Sequence, residues 1–298
     1  MFPPRFDYVR PDSLDAALDA IAAEDATPLA GGHDLIPMLK ARERRPGTVV
    51  DLGGLDVLRG VERVVENGSQ ERLSIGALTT DAALLDADPA GVDGLLDATH
   101  EVGDAQIRNR GTVGGNLAAA HPASDIPAAT AAADATLHLV GPDGDRTVPA
   151  DEFATGDHQT VCGDDELLTR ISVPLHPDAG GAYARKTHPS TGYAAVGVAA
   201  RLRVADGSVT DPRVVTVGLC GAPTRLSAVE DAVAGIDAGS PVDAVESAAE
   251  RAGEAVEIPV REDHVVSAAQ RRAILPAYAE EAVSEALARA VGREGVVA

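Results

Sequence analysis

Two glycine pairs carry the first chemical signal in this 298-residue chain. Gly31 and Gly32 sit in LAGGHDL, and Gly114 and Gly115 sit in GTVGGN. Adjacent residues without Cβ permit positive φ and let a ligand approach the backbone closely. Successive amides in such a turn can form a nest for an anion, and a helix starting just beyond the turn adds its positive end. Two such loops, far apart in sequence, could clamp a pyrophosphate from two sides. Neither has the spaced three-glycine Rossmann pattern, and neither carries a P-loop lysine. Taken singly, each pair also reads as a tight turn. The other reactive residues form no constellation. The eight histidines show no HExxH or Cys–His spacing suited to a metal. Cys162 and Cys220 are too few for a disulfide framework or for an iron–sulfur cluster, which normally takes four thiolates. His33 lies inside the first loop, as a ligand contact or as a hydrogen-bonded turn residue. His121 precedes Pro122 with no partner that spacing can name. Asp164, Asp165 and Glu166 read as a solvated turn.

The elements that must hold these loops are partly legible. Leu14, Ala17, Leu18 and Ile21 recur at helical spacing behind Ser13, a suitable N-cap. A short strand near Thr27 to Ala30 runs into the first glycine pair, and a helix follows from Asp34. GTVVDLGGL and RLSIGALTT read as strands, and Thr80 can cap a helix over DAALLDA. TLHLVGPDGDRTV reads as a hairpin, and ELLTRISVPL as another strand. The second half has a different plan. It runs strand, Asp-Gly turn, strand, then helices, the last over PAYAEEAVSEALARAV. The mixture is α+β, with a boundary near residue 178.

Composition narrows the class. There are 47 acidic against 25 basic residues, a net charge of −22, and Lys40 and Lys186 are the only lysines. The acids are dispersed rather than gathered in a tail, a composition that resembles proteins of salt-loving microbes. Molar salt screens such self-repulsion, with a Debye length of about 3 Å at 1 M. A dispersed acidic surface argues against nucleic acid as a partner. The start MFPPRFDYVRPDS has no apolar h-region, and no run of about 18 apolar residues follows, so neither a signal peptide nor a membrane span is expected. The expected location is the cytoplasm.

AGGHDLIPMLK, SIGALTT, QIRNRGTVGGNLAAAHPASDIPA and HPSTGYAAVGVAA together resemble the FAD-binding medium subunit of the molybdenum hydroxylases. The resemblance covers nearly the whole chain and is strongest to the medium subunits of aerobic carbon monoxide dehydrogenases. Xanthine dehydrogenase is similar through its flavin segment. The resemblance implies a vanillyl-alcohol-oxidase-type (PCMH-type) FAD domain of two lobes over residues 1–177. Residues 178–298 would be a small C-terminal domain with a three-stranded antiparallel sheet and a helical bundle. By the same resemblance, Ala30, Gly31, Gly32, His33, Asp34 and Leu35 would wrap the FAD pyrophosphate. An ionised Asp34 would repel a phosphate, so its side chain is expected to cap the next helix. Thr112, Gly114, Gly115 and Asn116 match the second phosphate loop. Asp125 matches a residue that accepts from FAD hydroxyls, and Leu168 an apolar contact to the flavin. Arg185 or Lys186 stands where the family has a lysine beside the ring, and Tyr193 would shield one ring face. The family holds FAD without a covalent bond.

The implied function is electron transfer. A small partner subunit would carry 2Fe–2S clusters and a large one the molybdenum cofactor, in a dimer of heterotrimers. EVGDAQIRNRG would lie either between flavin and cluster or in ordinary core and turn. A self-contained FAD oxidase of the vanillyl-alcohol type is the alternative, although the C-terminal segment is short for a substrate cap. A third reading is a flavin-free assembly subunit, which the intact glycine loops oppose.

Overall fold

The computed structural model describes residues 2–66, 70–239, 241–256 and 260–297. The first unit comprises β1 (Asp7–Val9), α1 (Leu14–Ile21), β2 (Ala26–Leu29), α2 (Leu35–Ala41) and β3 (Thr48–Asp51). Its three strands are parallel in the order β1-β3-β2. Ser13 begins α1 as the sequence predicts, its hydroxyl accepting from the Ala16 amide at 3.3 Å. Ala17 and Ile21 from α1 and Val50 from β3 fill a small core with Leu52, Leu55 and Leu58. The first glycine pair leaves the carboxyl end of β2, where open α/β sheets commonly bind ligands.

The second unit runs β4 (Val61–Glu66), β5 (Gln70–Gly76), α3 (Asp81–Ala87), α4 (Asp93–His100), α5 (Ala105–Arg108), α6 (Val113–Ala119) and α7 (Asp125–Ala132). It continues with β6 (Thr136–Gly141), β7 (Gly144–Pro149), α8 (Ala150–Phe153), β8 (Ala154–Gly156), β9 (Gln159–Thr160) and β10 (Leu167–Pro174). Five of these strands form an antiparallel sheet in the order β4-β5-β10-β6-β7, and β8 pairs with β9. The Gly-Pro-Asp-Gly hairpin closes with Gly141 opposite Gly144. Thr80 caps α3 by accepting from the Ala83 amide at 3.1 Å. Every residue of α7 is buried, as expected for a helix of small apolar residues without a polar face. The acidic run is not wholly a solvated turn: Glu166 receives both Nε and Nη2 of Arg146 at 2.6 Å.

The third unit is an antiparallel sheet of β11 (Ala179–Thr187), β12 (Ala194–Ala205), β13 (Ser208–Val217) and β14 (Thr224–Arg225). Three strands were expected. The fourth is only two residues long and pairs with Val215 and Thr216. Asp206 and Gly207 turn β12 into β13 with φ of 51° and 72°, the positive pair that a two-residue hairpin requires. Among the described residues three α-helices follow: α9 (Ser227–Val233), α10 (Val242–Ala249) and α11 (Ala268–Val297). Pro276, expected near the start of the last helix, lies inside it.

Alternation on the long strands explains how this sheet joins the rest. Val196, Val198 and Ala200 face Leu275, Ala279, Val283 and Ala286 of α11. Ala199, Val215 and Val217 join the core of the second unit. The sheet is therefore buried on both faces over this stretch, and the second and third units share one continuous packing layer.

Candidate functional site

The structure brings the two glycine loops into contact. A Cβ on Gly31 would overlap the Arg110 carbonyl oxygen and lie 3.0 Å from Gly111 Cα. Ala30 faces the second loop as well: a Cβ on Gly115 would stand 3.4 Å from Ala30 Cβ. Gly32 has φ +84°, a conformation that side chains strain against. His33 ties the loop down, its Nε2 standing 3.1 Å from the Ile107 carbonyl oxygen at α5. That carbonyl also accepts from the Arg110 and Gly111 amides, so one oxygen links both loops. His33 is therefore a hydrogen-bonded turn residue.

The two loops differ in the donors they leave open. Among the described residues, the amides of Gly31, Gly32, His33 and Asp34 meet no acceptor, and Leu35 begins α2 just beyond them. Four consecutive free amides at a partly buried turn suit an anion. The first turn of α6 is already satisfied. The Val113 amide donates to Thr79 O, Gly114 to Ala77 O and Asn116 to Thr112 O. The Gly115 amide donates to Thr112 Oγ1 at 3.2 Å. Thr112 is thus an N-cap before it is anything else, and Gly114 is the residue that lets α6 pack on Ala77, where a Cβ would come within 2.5 Å. Asn116 accepts from Ser124 Oγ through Oδ1 at 2.7 Å, which leaves its amide nitrogen as a donor. Thr112→Val should cost about 1 kcal/mol through loss of this cap, read as a lower urea midpoint with unchanged slope.

Asp34 departs from expectation. It stands at the N-cap of α2, but its carboxylate makes no capping hydrogen bond. An N-cap side chain reaches back from extended backbone, whereas Asp34 is right-handed helical, with φ −94° and ψ −54°. Burial raises its pKa, against the opposing pull of His158 and His33.

Asp125 opens α7 and is 3% exposed. Its Oδ1 accepts from the Tyr183 hydroxyl at 2.6 Å, and Arg185 Nη1 reaches Oδ1 at 3.1 Å and Oδ2 at 3.0 Å. Arg185 Nε donates to Glu101 Oε2 at 2.7 Å. Burial pushes the Asp125 carboxyl up to about 6, while Arg185 and Tyr183 draw it back down. Arg185 and Lys186 project to opposite faces of β11. Arg185 shares the face of Tyr183, and Lys186 is exposed on the face of Ala182 and Ala184. Leu168 is buried in the second-unit core beside a bulge in β10.

Tyr193 stacks on His121, with ring centroids 4.0 Å apart and 18° between planes, and His158 meets His121 edge-on at 5.3 Å. Burial raises the Tyr193 pKa, and the charges of Asp34 and Asp125 add to it. First loop, α7 and β11–β12 connection therefore converge. Burial lowers the His121 pKa to about 4, and His158 and Arg261 reinforce it, so this imidazole is neutral at pH 7. Sequence reading missed His158, Tyr183 and Glu101 as parts of this arrangement. His158 lies in a loop with no motif, and Tyr183 shows its role only when α7 is laid against β11.

Residues 4–176 match the family model described as the FAD binding domain in molybdopterin dehydrogenase. The chain belongs to this family. The carbon monoxide dehydrogenase medium chain of Hydrogenophaga pseudoflava is 36% identical over 231 residues, covering 76% of this chain and 78% of the relative. The glyceraldehyde dehydrogenase medium chain of Sulfolobus acidocaldarius is 37% identical over 238 residues, covering 79% and 83%. A solved carbon monoxide dehydrogenase from H. pseudoflava, lacking the Mo-pyranopterin moiety, superposes with a TM-score of 0.88 at 34% identity over 97% of this chain and 99% of that one. The site fits the family's cofactor on its own terms: the first loop offers free amides to a diphosphate, and backbone contact between the loops leaves no room for a side chain at Gly31. The protein is thus an FAD-dependent oxidoreductase subunit of the molybdopterin dehydrogenase type. No helix among the described residues is long and apolar enough to cross a membrane.

Proposed function

We propose that this chain is the FAD-carrying electron-transfer subunit of a cytoplasmic molybdenum hydroxylase in a halophile. A small subunit with 2Fe–2S clusters would supply the electrons, a large subunit would hold the molybdenum cofactor, and the whole would assemble as a dimer of heterotrimers. The observation that carries this is the meeting of two glycine loops around four free amides in a chain of this family. FAD, when bound, takes electrons singly or in pairs and so couples one-electron clusters to an external acceptor. In the division of the chain we propose, residues 1–177 bind FAD and residues 178–298 form the C-terminal domain.

The chain's own residues then take these roles. The Gly31 to Asp34 amides bind the diphosphate, and Asn116 donates from the second loop. Arg185, held by Asp125 and Glu101, is the cation assigned to the flavin side, because Lys186 lies on the other strand face. A positive group there favours the negative charge that a reduced flavin develops. Tyr193 covers one ring face from its place on His121. The segment containing α5, which sits beside both loops, is the surface assigned to the cluster-bearing subunit.

Purified alone and loaded with FAD, the chain should show flavin absorbance and should oxidise no organic donor at a useful rate. Oxidation should appear only when both partner subunits are added. Efficient turnover of an organic substrate by the isolated chain would favour the self-contained oxidase instead.

A further inference from the structure

Asp81 opens α3, and its amide donates to the Gly111 carbonyl at 3.1 Å. Its side chain stands against the second loop, since a Cβ on Gly111 would lie 2.5 Å from Asp81 Oδ2. Gly111 is also the residue that faces Gly31. The carboxyl is therefore immediately behind the point where the loops touch. Asp81 is 1% exposed, and Oδ1 meets no hydrogen-bond partner. A carboxylate taken out of water needs donors around both oxygens. Lacking a donor at Oδ1, this one is biased toward its protonated form.

Burial pushes the Asp81 carboxyl up to about 7, against the pull of Arg108 from α5. Arg108 is itself engaged by the carbonyls of His100, Val102 and Gly103. Arg108 is the charged group that acts on this carboxyl.

We propose that FAD binding is coupled to protonation of Asp81: the neutral carboxyl supports the second loop against the first, and its anionic form opposes the cofactor diphosphate held there. This rests on the reading that the two loops hold that diphosphate. The sign follows from like-charge repulsion in a poorly solvated site. The form with the proton binds FAD better, so affinity is fully present at low pH and falls as pH rises past the free-state pKa. The limiting slope is about tenfold in Kd per pH unit.

Calorimetric titration of FAD into the full flavin-free chain at pH 8, in two buffers of different ionisation enthalpy, counts the protons. Wild type should take up close to one proton per FAD. Asp81→Asn should take up none and should bind FAD at pH 8 about tenfold more tightly than wild type. Asp34→Asn removes the first-loop carboxyl, whose pKa burial also raises and whose side chain makes no capping bond; it should retain the uptake, and this arm stands even where Asp81→Asn does not fold. No uptake in wild type, uptake that survives in Asp81→Asn, or uptake lost in Asp34→Asn would each overturn the coupling. A wild-type chain that binds no FAD at all would overturn the loop reading on which the coupling rests.

Discussion

Gly31→Ala should strip FAD from the protein. The added methyl would overlap the Arg110 carbonyl oxygen and press on Gly111 Cα. Both neighbours are backbone, so no rotamer change relieves the clash, and the loops must part by roughly an ångström. Misplacement on that scale costs on the order of 100-fold where ligand position matters. The FAD Kd should therefore rise about 100-fold or more, measured by quenching of flavin fluorescence, while far-ultraviolet circular dichroism stays unchanged. Gly32→Ala provides the comparison. It is strained by φ +84°, but its nearest neighbour is the flexible Ile36 Cδ1 at 2.8 Å. Its cost should be about 1–2 kcal/mol, roughly a 5- to 30-fold loss. Stoichiometric flavin in purified Gly31→Ala would remove the two-loop site from consideration.

Gly180→Ala should produce the largest loss of stability. In an ordinary strand, replacing glycine with alanine removes backbone entropy from the unfolded chain and helps. Here a Cβ would overlap the Ala286 carbonyl oxygen and crowd the Ala290 amide of α11. Strand β11 and helix α11 meet backbone to backbone at this point, and one must lift from the other. Overpacking of this kind should cost about 3 kcal/mol or more, lowering Tm by roughly 6–12 °C in a chain of this size. Gly180 meets α11 and neither glycine loop, so flavin content per folded molecule should hold. A melting temperature equal to or above that of wild type would show that helix and strand are not in the close contact described.

Those two glycines illustrate how differently the sequence spoke about site and scaffold. Gly31 was visible because its neighbour Gly32 doubled the signal and the surrounding residues resembled a known motif. Gly180 belongs to AGGAYARKT, where small residues and an Arg-Lys pair mask the alternation of β11. The strand is identified by its pairing with β12, not by its own composition. Asp34 shows the opposite failure. Its residue type and position suit a helix cap, but the loop holds it in helical backbone from which the carboxylate cannot reach back.

By itself the sequence determined what is local. Ser13 and Thr80 cap helices because an oxygen three residues ahead of an amide meets it whatever the rest of the chain does. Asp206-Gly207 turns because few other pairs tolerate positive φ twice in succession. The glycine pairs marked where something must come close to the backbone. Tertiary structure alone decided what that something is on the protein side. It put Gly111 against Gly31, Asp81 behind Gly111, Tyr193 on His121, and Asp125 between Tyr183 and Arg185. Each of these pairs joins different elements, and its partner is chosen by how sheets and helices stack. The reason is physical: turn and cap energies act over a few residues, whereas burial is indifferent to separation along the chain and acts only once the packed layers exist.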